Sequence, residues 1–589
     1  MPGEEYMIKL MRKYMKGSWL WAIAAPLLML LEVMADLMQP TLMADIIDVG
    51  VATGNVPFII STGLRMLSFA LISVLLGLGC VATSSVASVN FAAKLRESFF
   101  GHIQTFSFED LDTFKTSSLI TRMTNDIVQM QQIIMMGLRM ASRAPFTCIG
   151  GVIMAYRLSP SLSMVLVVSV PVMLVVTSFL VQKSLPLFAA MQTKIDRING
   201  VVRESLLGIK VIKSFVSEDN EIKRFGAANQ DLMNTSIKAM QNMQLLFPIG
   251  NLIMNLSVVG VLWFGGSMAI AGNMETGKIM AFINYLLQIM MSLNMVVMMS
   301  MMYSRAMVAV DRINEVLDAQ GSIQDAPQTP DTAKAMAESG YAIQFRDVSF
   351  RYHNSGEWVL KHIDLSIREG ETVGVIGTTG SGKSTMVSLI PRLFDATEGS
   401  VLVGGVDVRA YPQDRLREKI GMVLQENILF AGKIEDNLRY GKSSATEEEM
   451  REAAEDAQAL DFIENIEKGF GARVEQRGRN FSGGQKQRLS IARTLLRKPD
   501  ILILDDAASA VDMVTETRIR EAINRRIGSC TVIIIAQRIA AIKDADTILV
   551  MNEGEIEAMG SHEELLRLSE SYRHVAAAQL GEEAVAHAG

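Results

Sequence analysis

The sequence predicts two domains of different class in series. The first is an all-α polytopic membrane domain of about six transmembrane helices with long cytoplasmic extensions, and the second is an α/β P-loop domain. At 589 residues the chain is too long for one folding unit. Its 49% hydrophobic and 20% charged residues, with a mean hydropathy of +0.25, fit a mixture of membrane and soluble domains. Long apolar stretches fill the first half, and short apolar runs alternate with helical segments in the second.

Charge and cysteine usage exclude several classes of protein. The net charge of -7, from 56 Lys+Arg against 63 Asp+Glu, gives no basic footprint for nucleic acid, so no nucleic-acid partner is expected. The 3 cysteines are isolated, without a CxxC pair or a nearby histidine. They therefore predict neither a disulfide framework nor a zinc site.

Six apolar stretches are candidate membrane spans, because the hydrocarbon core needs about 20 apolar residues per helix. One such stretch alone could be a buried core helix, but six in series leave little soluble protein to bury them. The lipid bilayer is therefore an expected partner. The candidate spans are residues 19–43, 64–92, 133–156, 161–181, 245–271 and 279–302.

Basic residues predict the orientation of these spans. Lys9, Arg12, Lys13 and Lys16 precede the first span, and the long segments at 94–122 and 183–238 are rich in Lys and Arg. The segment between the first two spans, DIIDVGVATGNVPF, has no basic residue. By the positive-inside tendency, we expect a multi-pass protein of the cytoplasmic membrane with its N-terminus and second domain in the cytoplasm. The first span is too long for a signal-peptide core and is expected to be retained.

Composition shifts predict the domain boundaries. The polar, proline-containing stretch DAQGSIQDAPQTPDTAKAMAESG is typical of a linker. The expected organisation is a transmembrane domain at 1–317, a linker at 318–340, the α/β domain at 341–578 and a C-terminal tail at 579–589.

The first functional motif of the second domain is a phosphate-binding loop. The stretch TVGVIGTTGSGKS fits G-x-x-x-x-G-K-[ST] between a short apolar run and an amphipathic helix. Glycines let backbone N–H groups face phosphates, Lys383 can reach the β- and γ-phosphates, and Ser384 can ligate Mg²⁺. ATP and Mg²⁺ are therefore the expected cofactors. The predicted nucleotide-binding residues of the loop are Gly377, Thr378, Thr379, Gly380, Ser381, Gly382, Lys383, Ser384 and Thr385.

A second motif supplies a carboxylate for the metal. The apolar run at 501–504 ends in Asp505, which would hold Mg²⁺, and Asp506 follows directly. A buried parallel strand has the same apolar pattern but does not usually end in two carboxylates. Together with the phosphate loop, this motif predicts an α/β P-loop ATPase domain.

Between the two motifs, NFSGGQKQRLSIARTLL opens a helix with Ser482, Gly483, Gly484 and Gln485. A lone SGGQ is weak, because glycine-rich turns cap many helices. At this distance before the carboxylate strand, however, the chain resembles the ATP-binding cassette (ABC) transporters. The resemblance covers nearly the whole chain, and the order of spans before cassette resembles the exporter half-transporters of the multidrug type.

The resemblance implies a role for several residues outside the phosphate loop. Tyr352 would stack on adenine, and Gln425 would meet Mg²⁺ and the attacking water. The implied Mg²⁺ ligands are Ser384, Gln425 and Asp505. In this family two cassettes close face to face, so Ser482, Gly483, Gly484 and Gln485 would face a second cassette's phosphate loop and Asp512 would contact the opposite subunit. A second ABC half-transporter is therefore an expected partner.

Two residues depart from the family pattern at the site of hydrolysis. The position of the catalytic base, usually glutamate, holds Asp506, which is shorter by one methylene. A retraction of about 1.5 Å takes the carboxylate out of hydrogen-bond reach of the attacking water. Gln537 stands where the family has a histidine at the γ-phosphate, and an amide cannot carry a proton or a positive charge. Both departures predict that ATP binding is kept and turnover is reduced.

These observations predict one subunit of a heterodimeric exporter of hydrophobic or amphipathic drugs. This chain would supply a degenerate ATP site and lend an intact signature, FSGGQ, to the partner's competent site. The alternatives are a lipid or lipid-linked glycan flippase, a peptide exporter, a homodimeric exporter, and an ATP-binding membrane regulator that does not transport.

Several features of the first half are candidates for transport and coupling. Glu32 and Asp36 lie within the first span, with Asp45 near its outer end, and they could contact a cationic substrate, form a gate or bond to neighbouring helices. The last span is rich in methionine, which suits a surface for apolar shapes or simple packing. The segments at 106–114 and 215–225 are candidates for docking on the cassettes or are solvated helix ends.

Overall fold

The computed structural model describes residues 2–325, 340–353, 356–506, 511–526 and 530–580. The chain divides into two compact units, one of residues 1–104 and 117–319, the other of residues 105–116 and 320–589. The predicted linker and tail lie mostly outside the described residues, because positions 326–339 and 581–589 are not among them.

The first unit is helical throughout its described residues. Its helices are α1 (Pro2–Tyr14), α2 (Trp19–Asp45), α3 (Val56–Ile103), α5 (Thr116–Thr121), α6 (Ile127–Met136), α7 (Ser142–Leu158), α8 (Ser163–Leu207), α9 (Ile209–Ser214), α10 (Glu218–Gln244), α11 (Leu246–Ile270) and α12 (Thr276–Leu317); α4 (Phe108–Phe114) belongs to the second unit. Three π-helical turns, Ile46–Val51, Arg122–Asp126 and Gly137–Ala141, interrupt the series.

Among the residues that the structure describes, five helical segments are long and apolar enough to cross a membrane: Trp19–Val51, Val56–Ile103, Ser163–Leu207, Glu218–Ile270 and Thr276–Val296. They correspond to five of the six expected spans, so the polytopic all-α class is confirmed. The expected span at 133–156 is instead divided among α6, a π-helical turn and α7, which has 17 residues. Arg139 and Arg143 interrupt the apolar run at this place.

Helices α2, α7 and α12 share the core of the first unit. Phe282 and Tyr285 of α12 are fully buried there. The Tyr285 hydroxyl donates to the Leu37 carbonyl at 2.6 Å, which satisfies its polar atom in an apolar core. Asp48 caps the start of α12, because its carboxylate accepts from the backbone N–H of Gly277 at 2.5 Å and of Lys278 at 3.1 Å.

The second unit contains three sheets and short helices. The strands are β1 (Tyr341–Phe350), β2 (Leu360–Arg368), β3 (Thr372–Gly377), β4 (Glu398–Val403), β5 (Val406–Asp407), β6 (Ile420–Val423), β7 (Gly432–Lys433), β8 (Arg473–Val474), β9 (Ile501–Asp505), β10 (Thr531–Ile535), β11 (Thr547–Asn552) and β12 (Glu555–Gly560). The helices after α4 are α13 (Lys383–Leu389), α14 (Gln413–Lys419), α15 (Ile434–Arg439), α16 (Glu447–Asp456), α17 (Leu460–Asn465), α18 (Gly483–Leu495), α19 (Met513–Arg526), α20 (His562–Leu568) and α21 (Glu570–Leu580).

The largest sheet, of six strands, brings the predicted site residues to one of its edges. Its order is β12-β11-β3-β10-β9-β6, and β12 alone is antiparallel to its neighbour. The inner strands are apolar along nearly their whole length, as expected for strands covered on both faces. Ile535 at the end of β10 lies opposite both Val375 of β3 and Asp505 of β9. The carboxyl ends of these three strands therefore meet at one edge, where ligands bind in parallel sheets.

Candidate nucleotide site

One cavity of about 510 Å³ opens at this edge of the sheet. It brings together residues far apart in the sequence: the phosphate loop, the carboxylates that end β9, the amide that follows β10, and Gln425. The predicted site residues that line it are Gly377, Thr378, Thr379, Gly380, Gly382, Lys383, Ser384, Thr385, Gln425, Asp505, Asp506 and Gln537. Residues of β11 and of α21 line its other side.

Glycines shape the phosphate loop. Gly380 and Gly382 have φ of +86° and +94°, a region that L side chains rarely adopt. A Cβ on Gly377 would lie 2.1 Å from the Met551 carbonyl oxygen, so only glycine fits between β3 and β11. The loop therefore lies close against the sheet, with its backbone at the start of α13.

Lys383 is held by the loop it belongs to. Its Nζ donates to the carbonyl oxygens of Gly377 at 2.9 Å and Thr378 at 2.7 Å, and to Ser381 Oγ at 3.4 Å. Burial lowers the pKa of Lys383, and the charges of Asp505 and Asp506 oppose that shift. The ammonium group is thus placed among oxygen acceptors that incoming phosphate oxygens can replace.

The oxygen donors beside Lys383 fit Mg²⁺. Ser384 Oγ donates to Asp505 Oδ1 at 3.0 Å, and Asp505 is buried. Burial raises the pKa of Asp505, because a charged carboxylate in this position lacks solvent. Within the described residues no cluster of three or more His, Cys, Asp or Glu could hold a metal. A hydroxyl and one or two carboxylates, completed by substrate phosphates and water, are the usual ligands of Mg²⁺.

The two residues that depart from the family pattern are bonded to each other. Gln537 Nε2 donates to Asp506 Oδ2 at 3.0 Å. Burial raises the pKa of Asp506, and the Gln537 hydrogen bond opposes that shift. An oxygen that accepts from this amide has less capacity to accept a proton from water. Asp506 also has a φ of +49°, which strains a non-glycine residue and is common at functional sites.

A glutamine near the C-terminus holds the loop that carries Gln537. Gln579 Nε2 donates to the Gln537 carbonyl oxygen, and Gln579 Oε1 accepts from the Ile539 N–H, both at 2.8 Å. Sequence reasoning missed this residue, and no signal in the sequence identifies it. Gln579 is 42 residues from Gln537 in the sequence. The two residues meet because α21, which carries Gln579, packs on the sheet.

Tyr352 approaches the end of the phosphate loop from the smaller, antiparallel sheet. It follows β1, and its hydroxyl lies 3.0 Å from Thr385 Oγ1. The ring is half-buried, with 38% of the residue exposed. It therefore presents a partly open aromatic ring beside the loop, as stacking on a base requires.

The signature residues do not line the cavity within the described part of the chain. Ser482 is the N-cap of α18, where its Oγ accepts from the Gln485 N–H at 3.3 Å and Gln485 Oε1 accepts from the Ser482 N–H at 2.9 Å. Phe481 is buried, and its ring centroid lies 6.5 Å from that of Phe462. The helix start is thus fixed and its outer side is exposed.

Asp512 likewise lies outside the cavity, at the start of α19. Its carboxylate accepts from the Thr515 N–H at 3.0 Å and the Thr515 hydroxyl at 2.7 Å. The backbone hydrogen bond from Thr515 lowers the pKa of Asp512, so the exposed side chain remains charged.

The two candidate docking segments fall in different units. Residues 105–116 belong to the second unit, where Phe108 lies 6.0 Å from Phe394. The segment at 215–225 belongs to the first unit and carries the exposed apolar residues Phe215, Val216 and Ile222. Its docking on a cassette stays a prediction.

The carboxylates of the first span have a partner that sequence reasoning missed. Arg143 donates to Glu32 Oε1 at 2.5 Å and to Asp36 Oδ2 at 2.8 Å, and Ser73 donates to Asp36 Oδ1 at 2.5 Å. Glu32 Oε2 is buried without a hydrogen-bond partner among the described residues. Asp45 is exposed. The hydrogen bonds favour bonding to neighbouring helices over the other two roles considered, and an arginine inside an apolar run was the available signal.

Comparison with known proteins covers both halves of the chain. Residues 22–293 match the family model of the ABC transporter transmembrane region. Residues 360–509 match the family model described as ABC transporter. A solved bacterial Atm1-family ABC exporter with ATP bound has a TM-score of 0.74 at 25% identity, covering 96% of this chain and 98% of the other.

Curated relatives align over most of their length. An uncharacterized ABC transporter ATP-binding protein of Mycobacterium tuberculosis is 38% identical over 97% of this chain and 98% of its own. An ATP-dependent lipid A-core flippase of Desulfotalea psychrophila is 33% identical, with 81% and 82% covered. A Bacillus subtilis protein named for multidrug export is 33% identical, with 82% of each chain covered.

Proposed function

The chain belongs to the ABC transporters as an exporter half-transporter, and from that premise we propose that it is one subunit of a heterodimeric multidrug exporter. It is an ATPase coupled to transport, in a membrane protein whose fold implies a dimer. We further propose that the membrane is the cytoplasmic one, with the N-terminus and the cassette in the cytoplasm, because the basic residues lie on that side of the spans.

The hydrogen bond between Asp506 and Gln537 carries the proposal. A general base must reach the proton of the attacking water, and its acceptor oxygen must be available. Here the carboxylate is one methylene shorter than the usual glutamate, and one of its oxygens accepts a hydrogen bond from the Gln537 amide, which cannot titrate. Hydrolysis at this site is therefore slow.

Binding at the same site is intact in this proposal. Lys383 would exchange its bonds to loop carbonyls for β- and γ-phosphate oxygens, and the N–H groups at the start of α13 would face the phosphates. Ser384, Asp505 and Gln425 would hold Mg²⁺, which neutralises phosphate charge when bound. Tyr352 would stack on adenine.

The signature completes the partner's site in this proposal. The exposed start of α18, held by the Ser482 and Gln485 capping box, would present Gly483 and Gly484 to the partner's phosphate loop. The partner would contribute the competent base. Each ATP-driven closure of the cassettes then depends on both chains, while hydrolysis occurs mainly at the partner's phosphate loop.

We propose hydrophobic or amphipathic small molecules as the substrates, as the name of the Bacillus subtilis relative suggests. A second candidate is a lipid, as in the flippase relative. An apolar cavity of about 660 Å³ lies between α8 and α11 and suits the apolar body of either candidate; Val165, Val168, Leu256 and Phe264 are among its lining residues. Both candidates share an apolar body and differ in the polar group.

ATP hydrolysis in lipid nanodiscs tests the proposal. The chain alone and the chain co-purified with a candidate partner are each assayed with a hydrophobic cationic drug, with a lipid A preparation and without addition. A drug-stimulated rate only in the mixture supports the heterodimeric drug exporter. Stimulation only by the lipid supports the second candidate. A rate of about 1–100 s⁻¹ from the chain alone would overturn the degenerate site and indicate a homodimer.

A signature variant makes the test more specific. Gly483→Asp in this chain should abolish the ATPase activity of the mixture, because a carboxylate would face the partner-bound phosphates. Retained activity would contradict the assignment of this signature to the partner's site. If the unmodified mixture hydrolyses ATP and no added compound stimulates the rate, the chain is a regulator that does not transport.

A further inference from the structure

A row of aromatic side chains runs from α4 to the phosphate loop within the second unit. The ring centroids of Phe108 and Phe394 are 6.0 Å apart, and those of Phe394 and Tyr352 are 5.4 Å apart at an interplanar angle of 86°. The Phe394–Tyr352 pair is edge-to-face and the Phe108–Phe394 pair is tilted at 39°. Aromatic pairs at centroid separations of about 4.5–7 Å contribute beyond the area they bury. We call Phe108, Phe394 and Tyr352 the aromatic row.

An ion pair lies beside the middle of the aromatic row. Phe394 lies in a turn closed by Arg392, which is 5% exposed and donates from Nε and Nη2 to the Asp395 carboxylate at 2.8 and 3.1 Å. Such a bidentate pair fixes both side chains and the turn between them. The backbone at Phe394 is therefore restrained, and its ring is the part that can respond to a displacement of Phe108.

The Tyr352 end of the row is braced from two further directions. Phe350 packs edge-to-face on the tyrosine ring at 4.9 Å, and the hydroxyl contacts Thr385. Phe108 at the other end is 52% exposed. The end of the row on α4 is thus the one that can be displaced.

Helix α4 is tied to the chain that follows α12. Asp110 Oδ2 accepts from the N–H of Ser107 at 2.8 Å and of Ser322 at 3.0 Å, and the two serine hydroxyls are 2.6 Å apart. Phe108 therefore lies on a helix that is hydrogen-bonded to Ser322 of the same unit. Glu109 also lies 3.5 Å from His353, but both side chains are exposed and the pair contributes little.

We propose that Phe108 and Phe394 are positioning residues for the nucleotide base. They set the orientation of Tyr352, so the affinity of the site for adenine depends on the position of α4. The inference rests on the proposed role of Tyr352 in stacking on adenine. By linkage, bound adenine strengthens the contact between Phe108 and Phe394 by the same factor by which that contact strengthens adenine binding. An ATP retained at the slow site then holds α4 against its own cassette.

The test separates the base from the phosphates. The full chain in nanodiscs is titrated with MgATP and with magnesium tripolyphosphate, which has no base, by isothermal titration calorimetry. Phe108→Leu and Phe394→Leu should each weaken MgATP binding about 5-fold, because one aromatic contact is lost. Tripolyphosphate affinity should not change. Phe108→Tyr should restore the ATP affinity, because it keeps the ring.

Phe114→Leu is the matched control, because Phe114 lies on the same helix and stacks on Phe106 at 5.5 Å rather than on the row. It should change neither affinity. Equal weakening of ATP and tripolyphosphate by Phe394→Leu would overturn the inference, because general loosening of the site would explain it.

Tyr352→Leu separates failure of the inference from failure of its premise. If this variant weakens ATP binding and the two phenylalanine variants do not, the aromatic row is wrong and the adenine assignment stands. If Tyr352→Leu has no effect on ATP binding, the adenine assignment itself is wrong. Neither result depends on a partner subunit or on hydrolysis, so the heterodimer proposal is tested separately.

Discussion

Two pairs of carboxylates, one in each unit, differ in the groups that surround them. Glu32 and Asp36 lie one helical turn apart on α2 and both accept from the Arg143 guanidinium. Asp505 and Asp506 are adjacent at the end of β9 and accept from uncharged donors, the Ser384 hydroxyl and the Gln537 amide. The first pair is hydrogen-bonded to one cation, whereas the second pair lies near the charge of Lys383 but accepts these two hydrogen bonds from uncharged groups.

The difference separates a carboxylate that holds helices together from one that does chemistry. A guanidinium that bridges two carboxylates offsets one of their two charges and fixes their geometry, so it holds together the helices that carry them. Uncharged donors orient Asp505 without cancelling its charge, which leaves it for a metal ion. The following predictions test this comparison.

Removing the fixed cation should have the largest effect. Arg143→Ala leaves Glu32 and Asp36 close together without a counter-charge inside the helical unit. We expect a loss of about 3 kcal/mol in the free energy of unfolding, seen as a large drop in thermal midpoint in detergent. Arg139→Ala is the control, because the described residues give Arg139 no ion pair. The triple variant Arg143→Ala, Glu32→Gln, Asp36→Asn should regain most of the stability; equal loss in the triple variant would contradict the ion-pair account.

Restoring the catalytic pair should raise turnover. Asp506→Glu combined with Gln537→His supplies a base with longer reach and a group that can carry charge. We expect ATP hydrolysis by the chain alone to rise about 100-fold, the lower end of what a general base contributes. Asp506→Asn should change the same rate only slightly. An unchanged rate in the double variant would show that these two positions do not limit hydrolysis.

Removing the hydroxyl ligand should weaken metal-dependent binding. Ser384→Ala deletes a proposed Mg²⁺ ligand and the donor to Asp505. We expect MgATP affinity to fall about 10-fold, roughly 1.4 kcal/mol, while ATP affinity measured in EDTA stays the same. Ser388→Ala, one turn later on the same chain segment, is the control and should change neither value. An equal fall in EDTA would place the effect of Ser384 on the loop rather than on the metal.

The smallest effect on stability is expected for Ser73, which donates to Asp36 of the first pair. Ser73→Ala removes a neutral hydrogen bond to Asp36, whose other oxygen keeps its bond to Arg143. We expect a loss of about 1 kcal/mol in stability, measured by the same thermal denaturation. A loss as large as that of Arg143→Ala would mean that the hydroxyl, and not the cation, holds the pair.

Much of the ATP site follows from sequence alone, because its parts are contiguous. The glycines, lysine and serine of residues 377–385 act through their own backbone and the helix they begin, so local spacing defines them. The apolar run before Asp505 likewise predicts a buried strand without reference to a partner strand. Five membrane spans follow from length and hydropathy for the same reason.

The tertiary structure decided which distant side chains meet. Arg143 reaches Glu32 and Asp36 from 111 and 107 residues away, and Gln579 reaches the loop of Gln537 from 42 residues away. Phe394 joins α4 to Tyr352 across three separate stretches of chain. A sequence pattern records the period and composition of one segment, whereas a hydrogen bond or ring contact depends on how segments pack. The chain by itself therefore determines a membrane-bound ATPase, and only its packing decides which carboxylates are bridged by an arginine and which line the nucleotide cavity.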